Sequence, residues 1–128
     1  MRPLHRLAAL VAGVAVTCVP GMARAEPAET ISLTILYMGQ PESARANDFA
    51  RFLGEHFAKV EVMDVAKFAP SQTEGYDVVI LDYDPASKDV TKLAKQIKLP
   101  ANYSKPTVLE GFLGARVGSA LGLRLGFS

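Results

Sequence analysis

The chain has 128 residues, 49% of them apolar and 21% charged, with 14 basic against 13 acidic side chains. That near-balance excludes the strongly basic surface of a nucleic-acid binder, and the length suits one domain with one core. A single cysteine, Cys18, and two histidines, His5 and His56, exclude a disulfide framework and a thiolate metal centre.

Met1-Arg2-Pro3-Leu4-His5-Arg6 is a short basic lead, residues 7–19 are apolar and small, and Ala23-Arg24-Ala25 supplies a signal-peptidase pattern. The apolar run is shorter than the ~20 residues of a spanning helix, and Pro20-Gly21 breaks it. Residues 1–25 are therefore expected to be a cleaved Sec-type signal peptide. Residues 26–128 are then a single periplasmic or secreted domain. Cleavage removes the only thiol and leaves His56 as the only imidazole. It also removes Arg2, Arg6 and Arg24 from the 14 basic residues, leaving 11 against 13 acidic ones, a formal charge of −2. Neither nucleic acid nor stable membrane insertion is an expected partner.

Ile31-Ser32-Leu33-Thr34-Ile35-Leu36-Tyr37-Met38 alternates and then turns apolar, which predicts a strand stopped by Gly39-Gln40-Pro41. Ala46, Phe49, Ala50, Leu53 and Phe57 follow at helical spacing, with Arg45, Asp48, Arg51 and Glu55 on the other side. Val60-Glu61-Val62-Met63-Asp64-Val65 alternates again, as a strand near a sheet edge does. Residues 66–75 read as a loop. Tyr76-Asp77-Val78-Val79-Ile80-Leu81 is a strand buried on both faces, and it ends in Asp82-Tyr83-Asp84-Pro85. Val90, Leu93, Ala94 and Ile97 line a second helix whose lysines, Lys88, Lys92 and Lys95, read as a solvated face. Pro106-Thr107-Val108-Leu109-Glu110 is a short strand. Gly114, Gly118 and Gly122 then fall at steps of four on a third helix, which predicts close helix-on-sheet packing.

This order of elements predicts a three-layer α/β fold, a parallel sheet covered on both faces with the flavodoxin-like strand order 2-1-3-4. Leu123-Arg124-Leu125-Gly126-Phe127 reads as the start of a fifth strand, which leaves open whether the domain is C-terminally incomplete at Ser128.

Loops at the C-terminal ends of the strands gather at one rim in such a sheet. There the sequence places Gly39 and Gln40, then Asp82, Tyr83 and Asp84, then Glu110 and Gly111, as candidate ligand-binding residues. Asp82 and Asp84, with Glu110, have the oxygen chemistry to hold a hard cation such as Mg²⁺. The competing reading is structural, since Asp84 before Pro85 is turn chemistry and Asp82 suits a capping role. Gly111 and Gly114 at the start of the third helix are candidates to cradle a phosphate, without the lysine of a P-loop. Tyr37 and Tyr83 are candidates to stack on a planar ligand. His56 lies late in the first helix, remote from the rim, and is unsuited to a catalytic triad.

Ile80-Leu81-Asp82 and Pro106-Thr107-Val108 resemble the response-regulator receiver family, a likeness that implies Asp82 as a phosphoryl acceptor. Where receivers carry an acidic pair after the first strand, this chain has Tyr37-Met38-Gly39-Gln40. More broadly, a first strand ending near Gly39 and a third formed by Tyr76-Asp77-Val78-Val79-Ile80-Leu81 resemble the ThuA-like and class I glutamine amidotransferase-like proteins. That resemblance implies a flavodoxin-like fold and a cysteine nucleophile on a turn after a central strand, with a histidine downstream. The comparable turn here, Glu110-Gly111-Phe112-Leu113-Gly114, has no cysteine, and no histidine follows it.

The sequence thus predicts an exported, non-catalytic binding or accessory domain with a small polar ligand or a protein partner at the rim. One alternative is a ThuA-like or amidotransferase-like enzyme, acting on carbohydrate, with catalytic residues beyond Ser128. The other is a metal-assisted hydrolase using Asp82, Asp84 and Glu110.

Overall fold

A computed structural model describes residues 29–124. The expected signal peptide, Cys18 and most of the expected fifth strand lie outside the described residues. Four strands, β1 (Ile31–Gly39), β2 (Phe57–Asp64), β3 (Val78–Leu81) and β4 (Thr107–Leu109), form one sheet in the order β2-β1-β3-β4. Every pairing is parallel: Ile35 faces Val60 of β2 and Val78 of β3, and Leu81 faces Leu109 of β4. Helix α1 (Ala44–His56) joins β1 to β2, α2 (Val90–Gln96) joins β3 to β4, and α3 (Gly111–Ala120) follows β4. The fold is a three-layer, flavodoxin-like α/β sandwich.

Side chains alternate across the sheet because successive residues of a strand point to opposite faces. β1 sends Ile35 and Tyr37 to the face covered by α1, where Ala46, Leu53 and Phe49 meet them. It sends Leu36 and Met38 to the opposite face, against Val90 and Leu93 of α2, Ile97 just beyond it, and Leu113 and Val117 of α3. β3 obeys the same alternation, with Val78 and Ile80 toward α1 and Val79 and Leu81 toward α2 and α3. This explains the continuous apolar runs of the two central strands: both faces are covered, though only partly over β3 on the α1 side, where Val78 and Ile80 are half-buried. Each fully buried aliphatic side chain there is worth roughly 1.5–3 kcal/mol relative to exposure.

Helix α1 starts three residues after Pro41. Ser43 caps it, its hydroxyl accepting from the Ala46 amide at 3.1 Å and donating to the Gln40 carbonyl at 2.7 Å. The second strand stops at Asp64, one residue earlier than expected, and the stretch that follows contains two 3₁₀ turns, Val65–Lys67 and Pro70–Thr73. The glycine row of the last helix divides by function. A Cβ on Gly114 would stand 2.4 Å from the Leu109 carbonyl carbon, so α3 reaches its observed distance from β4 only without that atom. Gly122, at φ 77°, ends the helix instead. Its amide donates to the Ser119 carbonyl at 3.0 Å and the Leu123 amide to the Gly118 carbonyl at 3.0 Å, the paired bonds of a Schellman terminus.

Candidate functional site

The third strand carries its alternation one residue past its end. Asp82, like Val78 and Ile80, lies on the α1 side of the sheet, with its backbone amide still bonded to the Met38 carbonyl at 2.9 Å. The carboxylate is 1% exposed. A charge so removed from water needs partners of opposite sign and donors for its lone pairs. Arg45, in the first turn of α1, supplies both: Nε donates to one carboxylate oxygen at 2.7 Å and Nη2 to the other at 2.9 Å. Tyr37 Oη donates to the first of these oxygens at 2.5 Å. The bidentate fork and the phenol leave no buried side-chain oxygen or nitrogen unsatisfied among the described residues.

Two aromatic rings hold this network in place. Tyr37 stacks on Phe49 with centroids 5.3 Å apart, and the Arg45 guanidinium lies 5.2 Å from the Phe49 ring centroid. Arg45 and Phe49 are one helical turn apart, so the same face of α1 provides the ring and the fork. The electrostatics follow from the geometry. Burial, reinforced by the hydrogen bond to Asp82 and its negative charge, pushes the Tyr37 phenol well above its ordinary value. Arg45 is raised as well, chiefly by its hydrogen bonds to Asp82. Both donors therefore keep their protons throughout the ordinary pH range.

The other rim residues divide around this core. Gly39 is buried beneath the Tyr37 ring, and Gln40 is exposed, its carbonyl accepting from the Ser43 amide at 3.2 Å. Glu110 is half-buried at the head of α3, and its negative charge contributes to holding the protons on Tyr37 and Arg45. Its backbone amide bonds to the Leu81 carbonyl at 2.9 Å, fixing the turn that leads to the exposed Gly111. Tyr83 turns to the opposite face and packs against the core under α2. There it borders a shallow depression of about 240 Å³, together with Ala66, Asp89 and Lys92. Asp84 is exposed and forms a turn, its carboxylate accepting from the Ala86 amide at 2.9 Å.

The structure thus brings Gly39, Asp82 and Glu110 to one side of the rim, sets Tyr83 on the other, and leaves Asp84 in a solvent-facing turn. Among the described residues, no three His, Cys, Asp or Glu side chains group as a metal-ligand set. Tyr37 is 1% exposed, too covered to stack on a ligand. His56 ends α1, its ring edge-on to Phe52 at 4.7 Å, away from Asp82.

Sequence reasoning missed Arg45, which periodicity assigns to the solvated side of α1. The available signal was positional: the second residue of a helix that follows β1 stands at the rim, within reach of whatever ends the neighbouring strand. No family model matches the chain, and neither a curated protein nor a solved structure matches it.

Proposed function

We propose that this chain is an exported, non-catalytic binding or accessory domain that receives a small polar ligand or a partner loop at the C-terminal rim of its sheet. The observation that carries this reading is the state of Asp82. General acid–base work needs a carboxyl that can exchange its proton, and metal binding needs free oxygen lone pairs. The Asp82 oxygens already accept three hydrogen bonds from Arg45 and Tyr37, which supports a structural role for this carboxylate over either of these. A Mg²⁺ ion bridging Asp82 and Asp84 would first have to displace the guanidinium. What the rim offers is a preorganised surface: the outer N–H groups of a half-exposed Arg45, the Gln40 side chain, Glu110 and the Gly111 backbone. Such a set orients a ligand without reacting with it. The basic lead, apolar run and Ala23-Arg24-Ala25 site support export to the periplasm or beyond.

Amide NMR spectra of the chain, titrated with small cationic, anionic and sugar-like probes and with Mg²⁺, test the reading. At least one organic probe is expected to shift Gln40, Glu110 and Gly111 saturably, with Mg²⁺ leaving them unmoved. A turnover by the purified chain that Asp82→Asn abolishes without unfolding it would overturn the non-catalytic assignment. Intact mass from the native host is expected to begin at Glu26.

A further inference from the structure

On the face opposite Arg45, α2 and α3 lie side by side, and a groove of about 350 Å³ runs between them. Its apolar lining is Ala94 on α2 and Val117 and Ala120 on α3, with Ile97, Leu99 and Leu121 beside them. Ala94 and Ala120 leave space that larger side chains would fill, while Leu93 and Val117 belong to the buried core. The volume lies in the range of small-molecule sites.

The lip of this groove is cationic. Lys95 and Lys98 stand on the α2 side and Arg116 on the α3 side, and among the described residues no acidic one lines the groove. Among the described residues the ion pairs join Arg45 to Asp82, Arg51 to Asp48 and Lys59 to Glu61; none uses the three groove cations. Arg116 is nonetheless held in place, its guanidinium 5.0 Å from the centroid of the Phe112 ring one turn earlier on α3. The negative end of α2 accounts for Lys95 in its last turn. It does not account for Arg116, which belongs to the middle of a different helix. Three like charges around an apolar recess repel one another, and an anion seated among them relieves that repulsion.

We infer that this groove binds a small amphipathic anion, a carboxylate with a medium-length hydrocarbon tail. The tail lies on Ala94, Val117 and Ala120, and the head group meets Lys95, Lys98 and Arg116. A groove between two helices suits a single tail, and the exposed Leu121 at its edge extends the apolar surface that the tail covers. This site is on the other face of the sheet from Arg45 and stands or falls independently of the rim.

Octanoate, octylamine and octanol, titrated separately into the full chain at constant ionic strength, test the inference through the methyl signals of Ala94, Val117 and Ala120. Saturable shifts with octanoate are expected, with octylamine and octanol at least about tenfold weaker. Lys98→Glu/Arg116→Glu reverses charge at exposed positions, so the fold survives, and octanoate affinity is expected to fall by about tenfold or more. Ala120→Phe, also at an exposed position, fills the groove and is expected to abolish the shifts. Equal binding of octylamine or octanol, or unchanged octanoate affinity in the charge-reversal variant, overturns the proposal. So does a methyl response to anionic vesicles with none to octanoate.

Discussion

The two faces of this sheet are built from the same four strands and stabilised in different ways. One face lies under α2 and α3, and its residues Leu36, Val79, Leu81 and Leu113 are each 0% exposed. The other lies under α1 alone, which sits over β2 and β1 and leaves the β3–β4 end open, with Val108 47% exposed. The two-helix face is an apolar core. The one-helix face contains the buried ion pair, where water still reaches Arg45 from one side. A half-covered face tolerates a charge network better than a sealed core does, because the guanidinium keeps part of its hydration.

Neighbours on β3 break or confirm that contrast most sharply. Leu81 points to the two-helix face and Ile80 to the one-helix face. Leu81→Ala is expected to destabilise by ~3–4 kcal/mol, combining lost transfer energy with an uncollapsed cavity. Ile80, already partly exposed, is expected to cost about half as much on truncation. Urea denaturation of the two variants gives both values. Equal losses would mean that something covers the β3–β4 end of the α1 face in solution.

The ion pair gives the next largest effect. Arg45→Ala strands a buried carboxylate and is expected to cost ~2–3 kcal/mol, at the lower end for a buried pair because the Arg45 side chain is 36% exposed and solvent-screened. Arg51→Ala breaks a pair in which both side chains are mostly exposed and is expected to change stability by less than ~0.5 kcal/mol. Adding Asp82→Asn to Arg45→Ala removes the stranded charge, so the double variant is expected to be more stable than Arg45→Ala alone. A double variant that is less stable would show that Tyr37, not Arg45, is the partner that matters to Asp82.

Two helical glycines sharpen the contrast at a smaller scale. Gly114→Ala drives a Cβ into the Leu109 backbone under the two-helix face, and a loss of ~1–3 kcal/mol is expected from overpacking. Gly54, on the exposed side of α1, has nothing within 4 Å of an added Cβ. There alanine is expected to stabilise by ~0.5–1 kcal/mol through helix propensity. Thermal melts of the pair read both signs at once.

Most of the fold was legible in the sequence because local patterns determine it. The apolar run from Val78 to Leu81 reads as a central strand, and the spacing of Phe49, Leu53 and Ala46 gives α1 its inner face. The row of glycines anticipated close packing at Gly114, although Gly122 proved to be a helix terminus, a distinction that depends on a positive φ rather than on spacing. The gathering of Gly39, Asp82 and Glu110 at one rim was legible by position, since strand ends in a parallel sheet must converge. Its chemistry was not. That Asp82 faces α1 follows from strand parity, but its pairing with Arg45 depends on where Ser43 starts the helix, two residues before. The spacing of the apolar residues does not report that start, so the register between the arginine and the carboxylate could not be read from it.

Alkaline titration separates the faces through their tyrosines, with the smallest effect at neutral pH. Tyr76 packs against the two-helix core and donates to the Glu61 carboxylate at 2.5 Å. That hydrogen bond, with burial second, raises its pKa from 10.0 to about 12. A phenol whose folded pKa is raised favours the native state while it is protonated. Its contribution is full below pH 10 and declines as pH rises through about 12. Tyr37 contributes with the same sign on the other face, burial being its leading cause. Tyr76→Phe is expected to cost ~1 kcal/mol at neutral pH, the net worth of one hydrogen bond. It should also flatten the fall in stability between pH 10 and pH 12 relative to the parent chain. If Tyr76→Phe keeps the parent's full slope across that window, the alkaline transition belongs to Tyr37, and the one-helix face opens first.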